Sequence, residues 1–338
     1  MTLTRSTAEV AGSGPGRRAG TGRAVAALVL VALAALLPLL GPSLALRGTG
    51  EAAAPGVGGI ALLRGVLFAA LCVPLGELLV NRLAHRFPDA PAERPYSWAV
   101  FAAVAGFVAA LGLASVVSTG NLVPHALADV DVGGLYRSRD GRLALLEVNA
   151  FLLAGLCARS RRPATQGWPL AAVVVAEALR AHPAPEPGPL PGAALTLVHL
   201  TCAALWVGGL PHALRMLRRW HGRAAGTAGA ALLGLYARVA AVLLAAITAT
   251  GVWSSLRRMP ADTVLDQLTT TAYGRTLLAK VILVAAVCVL ALWARYRLRR
   301  AADPLTAYVP ARAEVAALGA VVVVSGVLTA LPLPIRWT

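Results

Sequence analysis

The chain predicts an all-α fold, a polytopic transmembrane helical bundle of about nine spans, or eight with one short segment re-entrant. Composition, the length of the apolar runs and the placement of arginine carry that prediction. Hydrophobic residues make up 58% of the 338 residues and charged residues only 14%, against roughly 25% charged in soluble domains. Mean hydropathy is +0.70. The apolar runs reach roughly 16 to 25 residues, which suits helical crossings rather than alternating barrel strands of about ten. Arginines bunch where these runs end, the signature of positive-inside anchoring.

The runs fall at 24–46, 57–81, 96–118, 143–158, 167–182, 193–214, 232–254, 274–295 and 313–331. The first follows a basic start and mimics a signal peptide. It is too long for a typical h-region, and Ser43-Leu44-Ala45 is a weak cleavage site, so it reads as a retained span. The fourth and fifth runs are the shortest. Pro/Gly-rich or charged connectors such as Arg86–Pro95, Pro183–Gly192 and Ala301–Pro310 separate the runs, and none is long enough to bury a core. The chain divides into a basic cytoplasmic tail (1–23), a four-span region (24–165) and a five-span region (166–338).

Charge orients the bundle. Arginine clusters stand at 17, 18 and 23; at 82, 86 and 94; at 159, 161 and 162; at 215, 218, 219 and 223; and at 295, 297, 299 and 300. Each even-numbered crossing ends in one of them, so the N-terminus is expected in the cytoplasm and the C-terminus outside. The net charge of +16 therefore points to contacts with anionic membrane lipids and not to nucleic acid. The cysteines (Cys72, Cys157, Cys202, Cys288) lie within apolar runs without a close CxxC pair, so no disulfide framework is implied. No HExxH, P-loop or nucleophile elbow is present, and the chain is not expected to be an enzyme.

His199, Cys202 and Trp206 stand at spacings of three and four within the sixth run, one stripe of a helix. Ionisable groups at membrane depth are expensive and usually functional. Imidazole and thiolate suit soft or borderline transition metals, and together they point to copper. His182, at the end of the fifth run, falls on the same extracytoplasmic side across a short loop, so His182, His199 and Cys202 form the expected metal site; His125, in the loop after the third run, is positioned to join it. Trp206 reads as packing beside the site, and Gly208-Gly209 as a close helix approach. His212 and His221 read as interfacial anchors.

Other charged residues need partners. Lys280 is the lone lysine, about 10 Å into the eighth run. It either snorkels to headgroups or acts as a fixed charge that pairs with Glu147 or Glu177 or repels a cation in transit. Glu177 and Arg180 are three apart and positioned to neutralise each other; the alternative is a hydrated pocket in which Glu147 and Glu177 relay protons or attract a cation. Arg64 and Glu77 lie roughly 20 Å apart along one helix, too far to pair directly.

A longer pattern runs from about Glu177 to Leu333. It comprises His182, Val198-His199-Leu200, Leu205-Trp206-Val207-Gly208-Gly209-Leu210, Tyr236-Ala237-Arg238 and Thr250-Gly251. It continues with Tyr273-Gly274-Arg275-Thr276-Leu277-Leu278-Ala279-Lys280, Arg312-Ala313-Glu314 and the Pro332–Pro334 tail. In these residues the chain resembles the copper resistance D (CopD) family of bacterial membrane proteins; the earlier spans resemble it only in hydropathy. The resemblance implies copper movement across the cytoplasmic membrane, or copper tolerance, with a small periplasmic CopC-like copper-binding partner. No fused domain of that kind is present, and methionine is limited to Met1, Met216 and Met259. His with Cys suits Cu(I), whereas His with carboxylates allows Cu(II).

The expected function is therefore copper transport, with ions bound at the extracytoplasmic side by His182, His199 and Cys202. Ligating imidazoles must be neutral, so uptake should weaken below roughly pH 6. Two alternatives belong to other classes. A haem-binding electron-transfer protein would use His182 and His199 as axial ligands, and a metal-free assembly scaffold would use the polar groups only to specify packing.

Overall fold

The computed structural model describes residues 32–88, 90–124, 126–183, 188–220, 226–259, 262–300 and 308–333. The basic tail, His125 and His221 lie outside the described residues. Within them the chain is helical, without strands. The helices are α1 (Ala32–Leu46), α2 (Val57–Ala84), α3 (Ala99–Thr119), α4 (Val132–Arg137), α5 (Arg139–Arg159), α6 (Gly167–Arg180), α7 (Pro189–Trp220), α8 (Gly226–Arg258), α9 (Val264–Thr270), α10 (Ala272–Arg300) and α11 (Tyr308–Ala330).

Each of the nine apolar runs corresponds to one helix, and α4 and α9 are short connecting helices. Among the described residues, seven helices (α2, α3, α5, α7, α8, α10 and α11) are long and apolar enough to cross a membrane. The described part of α1 has fewer residues than a full crossing needs. Helix α6 has 14 residues, about 21 Å at 1.5 Å per residue, against a hydrocarbon thickness of roughly 30 Å.

Local chemistry sets the helix ends. Ser138 caps α5 by accepting a hydrogen bond from Gly141 N–H, and Asp140 follows in the first turn, where a carboxylate complements the helix dipole. Helix α3 stops at Gly120, whose φ of 74° is a left-handed termination. At the end of α6, Arg139 Nη2 donates to the carbonyls of Leu179 (2.8 Å) and His182 (3.1 Å). The start of α5 therefore lies beside the end of α6, as an antiparallel pair.

Helix α2 is central and packs against α3, α7 and α11. A core of Leu67, Leu71, Leu113, Phe151, Leu170 and Val173 joins α2, α3, α5 and α6, and Ala204 of α7 and Val322 of α11 enter it. A second core unites α7, α8, α10 and α11 around Trp206, Leu232, Tyr236, Val287 and Leu318. Residues before and after 165 thus share one interior. Helices α2 and α7 meet at backbone contact: a Cβ on Gly208 would lie 1.8 Å from the Cys72 carbonyl oxygen, and one on Gly76 would lie 2.0 Å from Gly208 C. The sequence reading of Gly208-Gly209 as a close approach is met here. All four cysteines are free.

Candidate functional site

The charged residues of α2, α5 and α6 assemble into one buried quartet. Arg64 Nη1 donates to Glu177 Oε2 at 2.6 Å, and Arg180 Nη1 donates to Glu177 Oε1 at 2.9 Å. Arg180 Nη2 lies 2.9 Å from Glu147 Oε2. Glu147 is fully buried and Glu177 nearly so. Two guanidinium groups and two carboxylates balance, so the cluster is neutral when all are ionised, which is how charge survives in a low-dielectric interior. The pairing of Glu177 with Arg180 agrees with the sequence reading. The alternative in which Lys280 pairs with Glu147 or Glu177 does not hold, because arginines occupy both carboxylates. Arg64, unable to reach Glu77, takes its partner from α6.

Next to this quartet, at the end of α6, His182 is buried. Its Nε2 lies 2.9 Å from Thr196 Oγ1 on α7, and its ring rests on Gly192, where a Cβ would lie 2.4 Å from Nδ1. A larger residue at 192 would expel the imidazole, so Gly192 seats it. Arginines from neighbouring helices tie this end together. Arg258 donates to the Tyr273 hydroxyl at 3.0 Å and to the Ala181 carbonyl at 3.4 Å, and Arg257 donates to the Gly188 carbonyl at 3.0 Å.

His199 lies three residues beyond Thr196 on α7, about 4.5 Å further along the axis. Its Nδ1 is 3.0 Å from Thr250 Oγ1 on α8, and Gly251 flanks the ring. Thr250 is anchored in turn through bonds to the Ala246 and Ile247 carbonyls. Lys280 of α10 is close enough to act electrostatically on the His199 ring. Cys202, one turn on, is half-buried against the second core. Trp206 is buried and its carbonyl accepts a 2.6 Å bond from the Tyr236 hydroxyl, so packing is its observed role.

The structure therefore strings His182, Thr196, His199, Thr250 and Cys202 along α7 and its neighbours. It does not gather His182, His199 and Cys202 into one three-donor cluster: among the described residues no group of three His, Cys, Asp or Glu side chains could hold a metal ion. The physical reason is local, since each imidazole is turned to a threonine on a different helix.

A second polar centre lies at the opposite end of α2 and α7. Glu77 accepts from Ser97 Oγ (2.6 Å), Trp98 N–H (2.9 Å) and Arg215 Nη1 (3.4 Å). Arg215 also bonds the Tyr96 carbonyl and stacks 3.9 Å over the Trp98 ring. His212 lies 3.8 Å from Glu77 and 3.4 Å from Asn81. His212 is thus buried between helices, and not an anchor at the membrane surface as its place in the sequence implied. No motif marks this cluster. Its only signal is a lone glutamate near the end of an apolar run, which needs a cation from elsewhere in the chain.

Residues 230–331 match the protein family CopD, described as Copper resistance protein D. The match extends from the second turn of α8 to one residue past α11, shorter than the resemblance read from the sequence. Lys280, Tyr236, Thr250 and Glu314 lie inside it; His182, His199, Cys202, Trp206, Glu147 and Glu177 lie before it. No curated protein and no solved structure matches the chain.

Proposed function

We propose that this CopD-type membrane protein carries copper ions across the bacterial cytoplasmic membrane, taking them up at the end where His182 lies. The observation that carries the reading is the junction at His199. This imidazole leaves α7 and reaches Thr250 of α8, inside the segment matching the copper resistance family. A histidine held at membrane depth against those helices is the chemistry a copper-handling segment needs.

The donors act in series. His182 receives the ion, Thr196 lies between the two imidazoles, and His199 with Cys202 takes the ion one turn deeper. An ion in transit must be held firmly enough to enter and weakly enough to leave. The Lys280 charge near His199 weakens cation binding there and so favours onward movement. Thiolate and imidazole together favour Cu(I). The basic connectors face the cytoplasm and contact anionic lipids. A small CopC-like protein delivers copper on the His182 side, and the chain has no catalytic role.

The test is copper content. Cells expressing the wild type, His182→Ala and His199→Ala proteins at matched levels are compared, and the purified proteins are assayed for bound metal. Both variants should lose most copper accumulation. Wild-type accumulation by His199→Ala would overturn the reading, and a Soret band in the purified protein would replace it with haem chemistry.

A further inference from the structure

Each ring nitrogen of a neutral histidine either donates or accepts, and its partners decide which. At His199 the partner is Thr250, whose Oγ1 lies 3.0 Å from Nδ1. A hydroxyl has a single proton to give. Thr250 directs its own back along α8, 2.7 Å from the Ala246 carbonyl and 3.1 Å from the Ile247 carbonyl, the bond a threonine inside a helix makes to the preceding turn. A carbonyl can only accept, so the proton goes there and the Thr250 oxygen is left to accept from the ring. His199 Nδ1 is therefore the donor of the 3.0 Å bond. Ile247 also hydrogen-bonds the ring through its backbone. Its N–H is spent inside α8, so this second partner is again an acceptor, and a neutral ring has one N–H to share between the two.

A proton on Nδ1 leaves the lone pair on Nε2. No described residue hydrogen-bonds that atom. It is not sealed either: His212 Nδ1 is enclosed without a partner, whereas His199 is half-buried and its Nε2 stays accessible. The backbone of α8 lies against the other edge of the ring, since a Cβ on Gly251 would stand 3.4 Å from Cε1 and 3.7 Å from Nδ1. His182 has no equivalent device. Its partner Thr196 makes no hydrogen bond to a carbonyl among the described residues, so that hydroxyl is free to give or to accept.

We infer that Thr250 is a positioning residue, which holds His199 as the Nδ1–H tautomer and thereby makes Nε2 the atom that takes a soft or borderline cation. Ligating imidazoles are commonly fixed in this way, the far ring N–H being held by a second polar group. The tautomer is a property of the metal-free chain, while the place of the cation at Nε2 rests on the copper reading above. Thr250 lies inside the segment matching the copper resistance family and His199 lies before it, so one part of the chain supplies the donor and the other sets its orientation.

The experiment uses the full chain in detergent, with ¹⁵N in the histidine rings and no metal. Signals lost in His199→Gln identify this ring. In the wild type Nδ1 should give a protonated, pyrrole-type shift and Nε2 a lone-pair, pyridine-type shift. Thr250→Val should move the population toward the Nε2–H form, which an unconstrained imidazole prefers, and Thr250→Ser should keep the wild-type pattern. Cu(I) alone should then displace the Nε2 signal, and Thr250→Val should bind it roughly 10–100-fold more weakly. An Nε2–H ring in the wild type, or an unchanged ring in Thr250→Val, overturns the inference whatever the chain carries. If the tautomers are as expected but Cu(I) moves neither nitrogen, the copper reading fails and the role of Thr250 in setting the ring stands.

Discussion

Replacing Arg180 with methionine should be among the most damaging single changes in the bundle. Its guanidinium touches Glu177 and Glu147, each at 2.9 Å. Glu177 keeps Arg64 at 2.6 Å when Arg180 is lost, but Glu147, which has no exposed side-chain surface, keeps no cation. The quartet then carries one uncompensated negative charge. Removing one partner of a buried pair costs about 3–5 kcal/mol, and the completeness of Glu147 burial favours the upper half. Adding Glu147→Gln removes that stranded charge and makes the cluster neutral again. The double variant should therefore recover stability relative to Arg180→Met, with a coupling energy of roughly 2 kcal/mol. Thermal unfolding in one detergent, followed by tryptophan fluorescence and by size exclusion, gives all four corners of the cycle. If Arg180→Met unfolds with the wild type, or the two substitutions add without coupling, the quartet is not what stabilises α2, α5 and α6 against one another.

Further outcomes follow from other contacts. Gly208→Ala puts a methyl group against the Cys72 carbonyl; neither backbone can yield alone, so it should lose about 1–3 kcal/mol and much of its folded yield. Gly319→Ala, where a Cβ meets nothing within 4 Å, is the matched control and should purify as the wild type does. In a cysteine-free background, the exposed positions Arg137 and Ser160 replaced by cysteine should react with an impermeant maleimide from opposite sides, Arg137→Cys from outside and Ser160→Cys from the cytoplasm. The reverse pattern would invert the orientation drawn from arginine placement. Glu77→Gln should loosen Ser97, Trp98 and Arg215 together, read as faster proteolysis between α2 and α3 with little loss of helicity.

Hydropathy made the helices legible because each apolar run must satisfy its own backbone hydrogen bonds in lipid, and a helix is the local way to do so. The i, i+3 link between Glu177 and Arg180 was legible for the same reason, being fixed by helical geometry alone. What the sequence could not place were partners more than a hundred residues apart, such as Arg64 with Glu177 or Arg215 with Glu77. Those depend on which helices adjoin α2, and near-uniform apolar surfaces do not encode that choice. The expected convergence of His182, His199 and Cys202 fails on rotation. Thr196 and Thr250 each capture one imidazole on a different helix, and spacing along α7 says nothing about the neighbour each ring will find.

The position of the glycine crossing constrains how anything can pass through this bundle. Gly76 and Gly208 bring the backbones of α2 and α7 into contact between the two polar centres, closing that seam to an ion as large as hydrated copper. His212 and Glu77 on one side of the crossing are thereby cut off from Arg64 and Glu177 on the other. The route we propose for copper therefore lies on the face of α7 that carries His199 and Cys202, toward α8 and α10. These two helices bury the smallest share of their spans, 17% and 11%, although α8 packs against α7 as extensively as any pair in the bundle. That face is also where the copper-family match lies. Blocking that face should stop the proposed copper transport while leaving the quartet and the fold intact. Thr250→Val, which removes the hydroxyl facing His199 with little change in volume, is the least invasive way to perturb it. Copper accumulation should fall at unchanged thermal stability; unchanged accumulation would place the route elsewhere.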